Sequence, residues 1–350
     1  MERRRHIRKI FFKEKGNEIM RKIKFLLFFM MLIICCLFIG CTKTKKKNTI
    51  TIAEVAHSVF YAPQYVAIEK GFFKDEGIDI KLVNANGADK VMAALLSKDA
   101  QIGLMGPEAS IYVFKGGQEN YAINFAQLTK RDGSFLVGRA KDESFTFDKL
   151  KGKEILGGRK GGVPVMVLEH TLRLKGLIVG EDDDSKDVNV RTDIAFAAMG
   201  GAFTSGEGDY VTLFEPTATA LEKSKKGYIV ASIGESSGEI PYTAYSALKN
   251  YINGNEATIQ SFTNAISKGL NWVKTHNAKE IASAIHPYFT DINLDDLIIV
   301  MQRYIDIDAW CETPYFKKES LDKLMDIMIE SNELDKKVDY DKIVTTKFVK

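Results

Sequence analysis

Beyond residue 48, apolar runs of four to eight residues alternate with stretches of helical periodicity, and Gly, Pro, Asn or Asp marks the joins. The pattern predicts strands over 50–55, 78–83, 102–105 and 122–128, with helices over 61–70, 88–97 and 108–115 between them. Strand then helix, repeated, means a parallel sheet covered on both faces. The pattern restarts after the charged turn Lys130-Arg131-Asp132-Gly133. Strands are expected over 135–137, 154–157, 188–190, 210–214 and 228–232, with helices over 163–175, 194–203 and 217–225. Past Pro241, 243–248 is strand-like and the rest is helical, over 257–275, 278–285, 294–305 and 319–331. That tail cannot build a second sheet. The economical chain path crosses to a second α/β lobe near residue 130 and returns near 240. This gives lobe I as 49–129 plus 241–350 and lobe II as 130–240, joined by two crossing strands that form a hinge.

The first forty residues stand apart. Arg21, Lys22 and Lys24 precede an unbroken apolar run over 25–39 that stops at Gly40-Cys41, the layout of a secretory signal. The run is short for a membrane span of about 20 residues. Phe38-Ile39-Gly40-Cys41 resembles the bacterial lipobox, in which cleavage leaves a cysteine that carries lipid, although leucine is usual where Phe38 stands. An uncleaved anchor helix is the alternative. Residues 1–19 are unlike a signal, and Met20 reads as the natural start. The expectation is a signal over 1–40 and a lipidated polar tether over 41–48, with the body outside the cytoplasmic membrane.

Charge changes meaning once the leader is set aside. Ten of the 49 basic and three of the 46 acidic residues lie in 1–40, which leaves 39 against 43, formally −4. The basic balance belongs to the leader, so a nucleic-acid partner is not expected. Of four cysteines, Cys35 and Cys36 lie in the signal and Cys41 is the lipid site, which leaves Cys311 without a disulfide partner or a thiol metal cluster. No cofactor and no metal are expected, and the chain is read as a monomer. About 300 residues after the leader favour two domains.

In open α/β sheets ligands lie beyond the carboxyl ends of parallel strands, where loops and helix N-termini converge. Lobe I offers His57, Ser58 and Tyr61, then Asn86, then Gly106, Glu108 and Ala109, where Pro107 opens a helix and leaves amides free to bind an anion. Gln127 and Thr129 stand at the outward crossing. Lobe II offers the glycine loop Arg159, Lys160, Gly161, Gly162 and Val163, then Thr192, Asp193 and Glu215. Each has a plain structural alternative: a capped helix, a tight turn or a dipole-complementing charge. The glycine loop matches neither a Walker loop nor a dinucleotide fingerprint. His170 and His286 sit within helical patterns.

Four segments carry a family resemblance: 61–80 (Tyr-Ala-Pro-Gln-Tyr-Val-Ala-Ile-Glu-Lys-Gly-Phe-Phe-Lys-Asp-Glu-Gly-Ile-Asp-Ile), 86–96 (Asn-Gly-Ala-Asp-Lys-Val-Met-Ala-Ala-Leu-Leu), 102–107 (Ile-Gly-Leu-Met-Gly-Pro) and 213–216 (Leu-Phe-Glu-Pro). They resemble the nitrate/sulfonate/taurine-type substrate-binding proteins of ABC transporters, which include thiamine-pyrimidine precursor binders. The resemblance implies the type II periplasmic-binding-protein fold, a solute held between lobes, and delivery to a permease with its ATPases. It does not choose the solute. Helix N-termini at Glu108 and Val165, with Arg159 and Lys160, favour a small anion or sulfonate. Glu108, Asp193 and Glu215, with Tyr61 as a stacking face, favour an amine-bearing ring. Two other functions compete. Eukaryotic thiamine-pyrimidine synthases share the architecture, but their cysteine-rich motif is missing here, and no catalytic triad or metal-spaced cluster stands out. A surface lipoprotein binding other partners would show repeats or long apolar patches.

Overall fold

The computed structural model describes Met20 and residues 48–180, 183 and 185–349. Apart from Met20, the signal lies outside the described residues, as do Cys41 and nearly all of the tether.

The first sheet is built from β1 (Asn48–Glu54), β2 (Ile78–Asn84), β3 (Ile102–Met105) and β4 (Ala122–Thr129), with α1 (Ala62–Glu69), α2 (Phe72–Asp75), α3 (Ala88–Ser97) and α4 (Glu108–Lys115) between them. Gly71 and Gly77 bracket α2 with φ of 76° and 78°, the left-handed backbone that lets helix, turn and strand follow within so few residues. In the second sheet lie β5 (Ser134–Gly138), β6 (Lys153–Leu156), β7 (Val179–Gly180), β8 (Val188–Arg191), β9 (Tyr210–Phe214) and β10 (Tyr228–Ser232). Its helices are α5 (Val163–Leu174), α6 (Met199–Thr204) and α7 (Thr217–Lys223). The chain then runs through α8 (Ile233–Ser237) to β11 (Thr243–Leu248), which joins the first sheet. A helical tail follows: α9 (Lys249–Gly254), α10 (Glu256–Thr275), α11 (Ala278–Ile285), α12 (Leu294–Asp306), α13 (Lys318–Glu330) and α14 (Tyr340–Ile343).

Strand order is β2-β1-β3-β11-β4 in the first sheet and β10-β5-β9-β6-β8-β7 in the second. The sheets are mostly parallel, as the alternating pattern predicts, with departures where the chain changes sheets. β11 runs antiparallel to β3 and β4, and β5 runs antiparallel to β9 and β10. The cause is local. The return path is hydrogen-bonded to the outward one, Ile240 N to Lys130 O at 2.8 Å and Tyr242 N to Thr129 O at 3.2 Å, so β11 must re-enter beside β4 in the opposite sense.

Helix boundaries follow the hydrophobic period closely, with one departure. The helix expected over 194–203 begins as a 3₁₀ turn at Phe196–Ala198 and becomes α-helical only at Met199. Arg191 holds Asp193 through two bonds of 3.0 and 2.8 Å, a tie that keeps the preceding loop extended. The tail packs on the first sheet through α10, whose buried Ile259, Phe262, Ile266, Leu270 and Val273 form one stripe. Gly269 on that stripe lies so close to the Pro63 carbonyl of α1 that a Cβ would overlap it.

Candidate ligand cleft

Two helix N-termini meet where the carboxyl ends of the two sheets face each other. From lobe I comes α4, opened by Gly106-Pro107-Glu108. From lobe II comes α5, opened by Gly162-Val163-Pro164 after the glycine loop. Two bonds tie the approach. Tyr112 on α4 donates its hydroxyl to Gly161 O at 3.0 Å, and Arg159 donates to Asp89 of α3 at 2.7 Å.

Between these ends sits the Glu108 side chain, 4% exposed. Burial pushes its carboxyl up to about 7, and the backbone N–H groups of Glu108, Ala109 and Val163 act in the opposite direction. Its Oε2 has no hydrogen-bond partner among the described residues. A Cβ on Gly106 would overlap the same carboxyl group, so glycine is what lets the side chain fold back there.

A second buried acid lies at the outward crossing. Asp132, 0% exposed, accepts from Ser134 N at 2.6 Å through Oδ1, while Oδ2 is unpartnered among the described residues. Burial pushes it up to about 6, with Ser134 and Tyr242 opposing. Tyr242, on the return crossing, is buried, and its hydroxyl stands close enough to Asp132 to act on it as a hydrogen-bond donor, although the two form no bond of full geometry; Asp132 and Glu108 both raise its pKa further. Phe60 completes the wall. Its ring centroid lies 5.7 Å from Phe214, 5.9 Å from Tyr242, 5.8 Å from Tyr61 and 5.0 Å from Tyr304, and it covers Gly133 so closely that a Cβ there would clash. Buried polar atoms are normally paired. Unpartnered acceptors on two acids beside a phenol hydroxyl and aromatic rings suit a flat ligand that donates N–H bonds.

These acids set a pH dependence. A carboxyl whose folded pKa lies above its unfolded value of about 4 contributes stability that is present below about pH 4 and lost as pH rises through the folded value. Glu108 and Asp132 both act in this sense, and His57, raised chiefly by its hydrogen bond to Glu54, acts likewise. The melting temperature is expected to rise by several degrees from pH 8 to pH 5.5. A Glu108→Gln/Asp132→Asn double substitution should flatten most of that slope in a melting series, and an unchanged slope would refute the assignment.

The structure distributes the other expected site residues unevenly. Gly106, Glu108, Ala109, Gly161, Gly162 and Val163 assemble at the two facing helix ends, with Tyr61 buried beside Phe60 and its pKa raised by burial, Glu54 and Glu108. Lys160 and Thr192 line a cavity of about 180 Å³ with Arg173, Asn332 and Glu333, and Gly161 lines it as well. Arg159 is spent on Asp89, and Asp193 on Arg191. Glu215 is committed within lobe II and to α12: it accepts from Thr219 N at 2.9 Å, Thr219 Oγ1 at 2.8 Å and Arg303 at 2.6 Å. Gln127 donates to Thr129 O, and Thr129 Oγ1 pairs with Thr243 Oγ1 at 2.6 Å, so both belong to the crossing. His57 stacks on Phe289 and bonds Tyr288 O, Ser58 caps the 3₁₀ turn through Phe60 N, and exposed Asn86 turns its loop at φ 57°. Sequence reasoning missed Phe60, Asp132 and Tyr242 as site residues. Asp132 lies in a turn read only as charged, and its place at the crossing is the one signal in the sequence that marks it.

Two α/β lobes joined by a paired crossing, with helix N-termini from both meeting over a buried polar cluster, define a two-lobed periplasmic-binding-protein fold. The chain belongs to the family described as NMT1/THI5 like, which matches residues 59–280. It is 44% identical over 305 residues to the "Putative binding protein YtlA" of Bacillus subtilis (strain 168), a match that covers 87% of this chain and 90% of that protein. Among solved structures it is similar to the alkanesulfonate-binding protein SsuA from Xanthomonas axonopodis pv. citri bound to MOPS, with TM-score 0.67, 14% identity, 85% of this chain and 98% of that one covered. It is also similar to the periplasmic nitrate-binding protein NrtA from Synechocystis PCC 6803, with TM-score 0.66, 15% identity and 87% of each chain covered. At these identities the two structures speak for the fold. Among the described residues no helix is long and apolar enough to cross a membrane, and no His/Cys/Asp/Glu group is placed to hold a metal.

Proposed function

We propose that this chain is the extracytoplasmic solute receptor of an ABC importer, tethered by lipid on Cys41, and that its solute is a flat, amine-bearing heteroaromatic compound of the thiamine-pyrimidine kind. The observation that carries the ligand class is the cluster of unpartnered buried acceptors on Glu108 and Asp132 beside the Tyr242 hydroxyl, walled by Phe60, Tyr61 and Phe214. A ring would stack on the aromatic wall while its amino groups satisfy both acids. Residues of both lobes and both crossings would then touch one ligand, and differential affinity of that kind is what shifts such a receptor toward its closed form. The closed form is what the permease and its ATPases would recognise.

Mass spectrometry of solute released from the full-length protein tests the class, with calorimetry against a series of aminopyrimidines. Asp132→Asn retains an oxygen for Ser134 N and is expected to weaken aminopyrimidine binding at least tenfold, the loss of about 1.4 kcal/mol that one charge-assisted bond supplies. Release of a solute without N–H donors, or binding indifferent to Asp132, would overturn this ligand class.

A further inference from the structure

We propose that Glu108 is a built-in anion: its carboxylate fills the position between the α4 and α5 N-termini where an anionic solute would otherwise be held, and so sets the cleft against anions. The proposal deepens the reading of the cleft as a solute site and rests on it.

A helix N-terminus carries the equivalent of roughly half a positive charge. Two such ends facing one another across a cleft make an anion site without any basic side chain. Here the eight-residue α4 and the twelve-residue α5 supply them, and the N–H groups of Glu108, Ala109 and Val163 act on one carboxylate that belongs to the chain itself. That carboxylate is nine-tenths buried and more, and Oε2 is unpartnered among the described residues. Gly106 is the accommodation that admits it, since any side chain at that position would collide with the carboxyl group. The ionisable groups that sense Glu108 are Tyr61 from the 3₁₀ turn, Tyr112 from its own helix and Tyr242 from the return crossing. All three are phenols held above their ordinary range, and no cation contributes to the Glu108 balance. A second anion in this place would meet a like charge with nothing to offset it. An N–H donor meets an acceptor already oriented.

The test is calorimetry of the full-length protein with methanesulfonate and with nitrate at pH 8, for wild type, Glu108→Gln and Glu108→Ala. Wild type is expected to bind neither anion measurably, and at least one substitution should bind methanesulfonate ten times more tightly or better. Equal binding by wild type and both variants overturns the proposal, and so does the absence of any gain in variants that melt cooperatively. Should the variants fail to fold, the wild type alone decides: methanesulfonate stays anionic at every accessible pH, so its affinity should rise from pH 8 to pH 5.5 as Glu108 takes up a proton. Asp132 also titrates in this window, so the series is repeated in Asp132→Asn, where the rise must persist. A flat wild-type profile overturns the proposal. The outcome is separable from the ligand class proposed above. Wild type that ignores aminopyrimidines while Glu108→Gln gains methanesulfonate sinks the ligand class and leaves the built-in anion standing; the reverse pattern does the opposite.

Discussion

Replacing Phe60 by alanine is expected to cost about 3–5 kcal/mol of folding stability, the range for truncating a fully buried aromatic residue. The ring is 1% exposed and stands where four parts of the chain converge: Gly133 of the outward crossing, Tyr242 of the return crossing, Phe214 at the end of β9 and Tyr304 of α12. Two groups at this junction are fixed by bonds of their own. Tyr304 accepts from Glu215 N, and the Phe60 carbonyl itself accepts from Trp310 Nε1 at 2.8 Å. The void would open between the lobes, so affinity for solute should fall together with stability. Denaturant midpoints for Phe60→Ala and Phe60→Leu check this, and a loss under about 1 kcal/mol for alanine would mean that the junction collapses freely.

Arg303→Ala is expected to destabilise by about 3 kcal/mol, because it strands a charge that water cannot reach. The Glu215 side chain is 0% exposed, and Arg303 supplies its cationic partner at 2.6 Å while also pairing with Glu222 and with Thr219 Oγ1 at 2.7 Å. Lysine should recover only part of the loss, since a single ammonium cannot reproduce the fork that spans two carboxylates. Adding Glu215→Gln to Arg303→Ala should restore stability relative to Arg303→Ala alone. If the double variant is no better than the single one, the buried charge is not the cause.

Much of the architecture is legible in the sequence because it follows from period alone. The alternation of apolar runs with amphipathic stretches marks nearly every strand and helix, and the all-helical tail beyond 248 forces the chain to cross twice. What period cannot show is the direction of β11 and β5, which depends on the two crossings bonding to each other, Thr129 to Thr243 and Lys130 to Ile240. The unexpected elements β7, α2, α8, α9 and α14 have two to six residues each, too few to show any period.

The site is legible in its frame and hidden in its contents. Glycine and proline mark both helix N-termini, since close backbone approach and a pre-set φ are written in residue type. Charge is different, because a carboxylate in a sequence does not announce its partner. Asp193 and Arg159 looked available and are spent on Arg191 and Asp89, while Asp132, read only as part of a charged turn, is buried with Oδ2 outside any hydrogen bond of full geometry. Glu108 was a candidate on both sides of the anion-or-amine question, and its placement over Gly106, which no sequence pattern reveals, is what the proposal of a built-in anion rests on.

The paired crossing limits how the cleft can change. A two-stranded ribbon bends readily across its face and resists sliding along its length, since sliding would break Ile240 N to Lys130 O, Tyr242 N to Thr129 O and the Thr129–Thr243 hydroxyl pair together. On the proposed reading, opening by bending this ribbon would change the separation of the lobes, and solutes would be ranked by thickness as well as by their polar groups. A planar ring and a tetrahedral oxyanion of equal volume differ most in that dimension, so under the proposed function the crossing and the buried Glu108 would select in the same direction.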